Sequence, residues 1–171
     1  PENGSSNINN LEISNEGSHL DSSGNIKRLS GFGGLSNFWG SGKNVRFGVK
    51  VVADLSSLEN FQLNDLYIHD IYPSPTDSMN IYKGYGIKFE SLSDTSNSLY
   101  NTFSNIEITN NNITKTGHYG IWIKSLGLNG IDSIKNNKIE IRNCNFEYTG
   151  GSGFVPNKSS NVLVENCIFN H

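Results

Sequence analysis

Eight side chains suited to proton transfer or anion binding recur at fixed positions beside glycines in this 171-residue chain: Arg46, Lys50, Tyr85, Lys88, His118, Tyr119, Trp122 and Lys124. Imidazole, phenol and amine groups can take a proton from carbon or return one to a leaving oxygen once burial or neighbouring charge moves their pKa toward working pH. Ammonium and guanidinium groups grip sulfate or carboxylate through charge-assisted hydrogen bonds. Indole and phenol rings cover the apolar face of a sugar. The set predicts a catalytic group of His118 as base, Tyr119 as acid and Lys88 beside them. Arg46, Lys50, Tyr85, Trp122 and Lys124 would bind the substrate. Each residue also has a plainer role. Lys124 beside Glu90 fits a cross-strand ion pair worth at most about 1 kcal/mol, His118 fits a solvated turn, and Tyr119 aligned with Tyr85 and Phe47 fits a packing position.

A repeat is what brings these residues into one row. Ile106, Ile108, Asn112, Ile113, Thr116, Gly117 and Gly120 fall on Ile139, Ile141, Asn145, Phe146, Thr149, Gly150 and Gly153 at a constant offset of 33. Val162, Val164, Asn166, Cys167 and Phe169 continue the series at an offset of 23, and Phe61, Leu63 and Ile68 precede it at 45. Glycine followed by alternating apolar residues marks a second segment of each unit, led by Gly48, Gly86, Gly120 and Gly153. Three short strands per unit cannot bury both faces alone, so successive units must stack and share a core. With Val49, Ile87, Ile121 and Phe154 inward, Lys50, Lys88, Trp122 and Val155 point outward in a column about 4.8 Å apart. Val52, Glu90, Lys124 and Asn157 make a parallel column on the same side.

Only 35% of the chain is hydrophobic, with 18 Gly and four Pro, which suits many short strands joined by turns in an all-β domain. No segment keeps a helical apolar period over three turns, and no run of 18 apolar residues exists to span a bilayer. The opening PENGSSNINN has neither the basic nor the apolar region of a signal peptide. A formal net charge of -3 lacks the positive field a nucleic-acid partner needs, and there is no flat threonine lattice for ice.

The phrases GIWIK, NKIEIRNCNFEYTGGSGF and NVLVENCIFNH resemble the repeats of right-handed parallel β-helix proteins of the pectate-lyase-like superfamily. The resemblance runs from about Phe47 to His171. It implies a solenoid over residues 46–171, with residues 1–45 as a cap or first irregular coil. Within that superfamily the chain looks most like secreted bacterial enzymes acting on algal polysaccharides, fucoidan lyases in particular. The resemblance therefore implies a secreted protein that cleaves a sulfated or uronic-acid polysaccharide by β-elimination. It implies no obligatory cofactor and leaves room for calcium, although no dense acidic cluster offers the converging oxygens calcium wants.

Two other classes stay open. A glycoside hydrolase needs two carboxyl groups across the groove, and Glu90, Asp70, Asp77 and Glu147 are candidates that register does not pair. A non-catalytic carbohydrate-binding β-helix would keep the basic and aromatic row. Cys144 and Cys167 occupy equivalent positions, where parallel side chains favour a free thiol stack over a bridge. His69-Asp70 is a weak metal or dyad signal that a solvated turn explains as well. Residues 72–85 replace a short link and are expected to form a flap beside the groove. Cys167–His171 stops partway through a unit, which predicts that further coils of the same protein cover this end.

Overall fold

The pattern apolar-x-apolar, followed five residues after its second member by another apolar residue, writes two strands that meet at a bend. The computed structural model describes residues 6–14, 46–53, 57–71, 84–91, 93–94, 99–124 and 136–170. Those residues are all-β. The strands are β1 (Ser6–Ser14), β2 (Arg46–Ala53), β3 (Leu58–Ile71), β4 (Gly84–Ser91), β5 (Ser93–Asp94), β6 (Leu99–Tyr100) and β7 (Phe103–Thr109). They continue as β8 (Asn112–Thr116), β9 (Ile121–Lys124), β10 (Asn136–Arg142), β11 (Asn145–Thr149), β12 (Phe154–Pro156), β13 (Ser159–Glu165) and β14 (Ile168–Asn170).

Two curled parallel sheets face each other. The first runs β13-β10-β7-β3-β8-β11-β14, with β1 against β3, and the second runs β12-β9-β4-β2. Only the short β5-β6 pair is antiparallel among the described strands. The pairings among β2, β3, β4 and β7 to β14 have the register that the repeat predicts. Ile139 sits on Ile106 and Val162, Phe146 sits on Ile113 and Phe169, and Ile87 sits between Val49 and Ile121. Among the described residues no helix is long and apolar enough to cross a membrane.

The core lies between the sheets, built from stacked equivalents such as Leu63, Ile108 and Ile141 together with Ile87, Phe89, Ile121 and Ile123. Each fully buried side chain of this size contributes about 1.5–3 kcal/mol. Phe89 ties the sheets together, edge-on to Phe61 at 6.1 Å and to Phe103 at 5.2 Å between ring centroids. The glycine at the head of each strand of the second sheet permits this closeness. A Cβ on Gly120 would stand 2.5 Å from the Gly153 carbonyl oxygen and 2.7 Å from the Phe146 ring.

The bends recur at fixed positions, and their residues have positive φ. Asn60, Asn105, Lys138 and Asn161 form one column, Asn10, Asp65, Asn110, Asn143 and Asn166 a second, and Asp70, Lys115 and Tyr148 a third. Asparagine and aspartate tolerate this left-handed conformation better than other side chains that carry a Cβ. Their amides also bond from one repeat to the next, as Asn105 Nδ2 does to Asn60 Oδ1 at 3.0 Å and Asn143 Nδ2 to Asn110 Oδ1 at 3.2 Å.

Behind the second bend, buried Asn111 accepts the Leu66 N–H at 2.8 Å and donates to the Leu63 carbonyl at 3.0 Å. Asn111→Leu would orphan both backbone groups, each costing about 1–3 kcal/mol. Urea unfolding of that variant is expected to show the summed loss, and a loss below about 1 kcal/mol would mean that the bend is satisfied some other way. The next residues in that column are Cys144 and Cys167, both free thiols as the register predicts. Burial pushes the Cys144 thiol up to about 11.

Residues 6–14 were expected only as part of a cap or irregular coil, yet β1 adds to the first sheet with Ile8 on Leu63 and Ile13 on Ile68. The signal is an Ile-x4-Ile spacing that matches Leu63-x4-Ile68.

Candidate functional site

The outer face of the second sheet carries the predicted row. Around the leading glycines, the residue before the glycine and the residue two after it lie outside the main core cluster. Tyr85 and Lys88 flank Gly86 in this way, as Tyr119 and Trp122 flank Gly120. Register then stacks Lys50 on Lys88 and Lys88 on Trp122, and Val52 on Glu90 and Glu90 on Lys124.

Glu90 is the centre of this face. Its carboxylate accepts hydrogen bonds from Lys50 at 2.9 Å, Lys88 at 3.0 Å and Lys124 at 3.4 Å. Burial raises its pKa, but the bonds from Lys50 and Lys88 outweigh that and hold it at about 2. One negative charge and three positive ones leave a local surplus of two positive charges. Where the sequence predicts one Lys124–Glu90 pair, Glu90 clamps three lysines.

Aromatic rings wall the lysines. Lys88 Nζ lies 4.9 Å from the centroid of the Trp122 ring, 5.2 Å from Phe47 and 5.9 Å from Tyr85, and Lys124 Nζ lies 5.7 Å from Trp122. Cations over ring faces at these distances are attracted by the ring quadrupole. Burial lowers the Lys88 pKa, and Glu90 opposes the shift without cancelling it. The two partners of this ion pair thus differ: the bond favours the charged form of Glu90, whereas desolvation dominates at Lys88.

His118 and Tyr119 are neighbours on this face, their ring centroids 3.6 Å apart. Tyr85 packs at 5.5 Å from His118 and 5.2 Å from Trp122. Burial pulls the His118 pKa down to about 4 and pushes that of Tyr119 up, so at neutral pH the imidazole is neutral and the phenol keeps its proton. Both shifts move away from neutral pH, which makes His118 a weaker base and Tyr119 a weaker acid than the free side chains.

The row is less open than alternation alone suggests. Trp122 is 3% exposed, His118 4% and Lys88 8%, with Tyr85 and Tyr119 also buried. Lys50 and Lys124 keep 40% and 22% of their side-chain surface, and Arg46 is exposed at the head of β2. All eight predicted residues lie on this sheet or at its edge. The three lysines converge on Glu90, His118 and the other rings pack together, and Arg46 stands apart next to Gly84 in register. Phe47, absent from the predicted set, belongs to it as a wall of the Lys88 cage, which its alignment with Tyr85 signals.

The carboxylates bear on the hydrolase alternative. Glu90, held at about 2, is a poor proton donor near neutral pH. Asp70 lies elsewhere, bonded to His69 Nδ1 at 2.7 Å, while His69 Nε2 meets Glu12 at 3.0 Å. That bridged imidazole, its pKa raised chiefly by Asp70, ties β1 to β3. Asp77 and residues 72–83 of the expected flap lie outside the described residues. Among the described residues no group of three His, Cys, Asp or Glu side chains is placed to hold a metal ion. No protein-family model, curated protein or solved structure matches the chain.

Proposed function

We propose that the chain is part of a right-handed parallel β-helix of the pectate-lyase-like kind, and that it acts on an anionic polysaccharide along the outer face of β2-β4-β9-β12. The observation that carries the proposal is the lysine triad on Glu90, which leaves two surplus positive charges, with Lys50 and Lys124 reachable from solvent. The spacing between strands suits a polymer, which meets one such position per step. The reaction is β-elimination by a lyase, with neutral His118 taking the proton beside the acidic group and Tyr119 protonating the leaving oxygen. A sulfated or uronic-acid chain such as fucoidan supplies the anion, in keeping with a secreted protein.

One finding favours a second reading, binding without cleavage: His118 and Tyr119 are 4% and 8% exposed, so a substrate reaches them only when whatever covers them moves. Incubation with a panel of sulfated and uronic-acid polysaccharides separates the two. A lyase releases chain ends with the ultraviolet absorbance of an unsaturated sugar, and His118→Ala abolishes that release. Binding that is intact with no new ends assigns the module to recognition. Lys50→Glu is expected to weaken polysaccharide binding about tenfold, or about 1.4 kcal/mol. Unchanged affinity in that variant at low salt would remove the anion-binding role of this face.

A further inference from the structure

The imidazole of His69 sits where β1, β3 and β8 meet in the first sheet. Its Nδ1 lies 2.7 Å from Asp70 Oδ2 on the same strand, and its Nε2 lies 3.0 Å from Glu12 Oε1 on β1. Lys115 Nζ, from β8, stands 4.0 Å from the other Asp70 oxygen. The Tyr67 ring stacks on the imidazole at 4.4 Å between centroids, and Ser14 and Thr114 are its register neighbours on β1 and β8. His69 and Asp70 keep 17% and 24% of their side-chain surface, so water screens this contact less than the one to Glu12, which keeps 70%.

The charge of the imidazole decides how this cluster holds. Protonated, it has two N–H donors, one for each carboxylate, and together with Lys115 it balances Glu12 and Asp70. Neutral, it has one N–H and one lone pair, so one carboxylate must face the lone pair and the cluster keeps a surplus negative charge. Asp70 is the nearer and better sheltered partner, so the remaining proton stays on Nδ1 and the contact given up is the one that crosses to β1. The seams between later repeats are pinned differently, by Asn105 on Asn60, Asn143 on Asn110 and Asn145 on Asn112. Amide pairs carry no charge to gain or lose. Among the described strands β1 joins its sheet through β3 alone, and His69 is on that seam.

We propose that His69 is a pH-sensitive latch for β1, which pins the strand to β3 through Glu12 when the imidazole is charged and lets it open when the imidazole is neutral. The hydrogen bond to Asp70 is the largest influence on this group and, with Glu12, outweighs burial, so its pKa is raised above the ordinary 6.5. A group whose folded pKa is raised gives its full stabilisation below the unfolded value and loses it as pH climbs through the folded one. The latch is therefore closed below about 6.5 and released on the alkaline side of it. Opening lifts Ile8 from Leu63 and Ile13 from Ile68 and bares one edge of β3. His118 does not share the response, because burial holds its pKa at about 4 and it is already neutral where His69 changes charge.

Amide exchange of the intact protein at about pH 5.5 and about pH 9, each rate divided by the intrinsic rate at that pH, tests the latch on either side of the ordinary histidine range. Protection of the β1 amides between Ile8 and Ile13 is expected to fall about tenfold from the lower pH to the higher, the scale of one lost hydrogen bond to a charged group. Protection at Ile139 and Ile141, in the amide-pinned repeats, stays level. His69→Gln, which hydrogen-bonds without titrating, removes the pH dependence. Glu12→Gln keeps the imidazole, removes most of the pH dependence and moves the imidazole's own titration, followed by nuclear magnetic resonance, to lower pH. Equal protection of β1 at the two pH values in the parent overturns the proposal. So does a pH dependence that survives in His69→Gln, or an imidazole midpoint that Glu12→Gln leaves unmoved.

Discussion

Glu90→Gln is expected to lower the unfolding free energy at neutral pH by about 3 kcal/mol, the lower end of the cost of removing one partner from a buried ion pair. The loss falls mainly on Lys88. Lys50 and Lys124 retain solvent and can turn toward it, whereas Lys88 is 8% exposed and walled by Phe47, Tyr85 and Trp122. Its ammonium would face a neutral amide in a site whose burial already disfavours the charged form. Adding Lys88→Met removes the stranded charge while keeping the bulk, so the double variant recovers most of the loss.

Acid supplies a second check on the same residue. The Glu90 pKa is depressed to about 2 from an ordinary 4.5, so its contribution is full above about 4.5 and is lost as pH falls through 2. Urea titrations of the two proteins are therefore expected to differ most at neutral pH and to converge as pH approaches 2. A gap that persists undiminished at pH 2 would show that the carboxylate's charge is not what stabilises the cluster.

Gly86→Val is expected to cost more, above about 4 kcal/mol, which for a domain of this size removes most of the folded population. A Cβ at Gly86 would lie 2.5 Å from the Gly120 carbonyl oxygen and 2.6 Å from Ile113 Cγ2. Neither neighbour can yield. The carbonyl is bonded to Ile87 N–H, and Ile113 is fully buried among residues that register fixes on both sides. β4 and β9 would have to separate, which would open the lysine cage above them. Val52→Ala, at an exposed position on the neighbouring strand β2 four residues along from the level of Gly86, serves as the control and is expected to change stability by less than about 0.5 kcal/mol. Equal melting temperatures for Gly86→Val and the parent would refute the close approach.

Much of this architecture is legible in the chain because stacked strands repeat one chemical environment. Ile106, Ile139 and Val162 meet the same neighbours, so they are the same kind of residue, and their offsets announce the pairing. Lys88 and Trp122 share a side of the sheet for the same reason. Alternation states which way a side chain points and is silent about what lies over it. Hence an open row was expected, and Trp122, His118 and Lys88 are instead buried. The sharing of Glu90 was also hidden, since two lysines come from neighbouring strands and one from two positions earlier on the same strand. Only a lateral column of Val52, Glu90 and Lys124 beside Lys50 and Lys88 foreshadows it. β1 was missed because a 55-residue offset separates Ile8 from Leu63, beyond the spacings of the other repeats.

The left-handed bends set where this chain can change length. From first bend to second is five residues in every repeat, Asn60 to Asp65, Asn105 to Asn110, Lys138 to Asn143 and Asn161 to Asn166, and five more lead to Asp70, Lys115 and Tyr148. The offsets between repeats nevertheless vary from 45 to 33 to 23. All of that variation lies outside the ten-residue span between bends. A single inserted residue inside the span would turn every following side chain over, whereas whole segments can be gained or dropped beyond it. Grafting a foreign loop after Ile71 or after Lys124 is thus the route to new surfaces on this scaffold, and the span between bends is its fixed ruler.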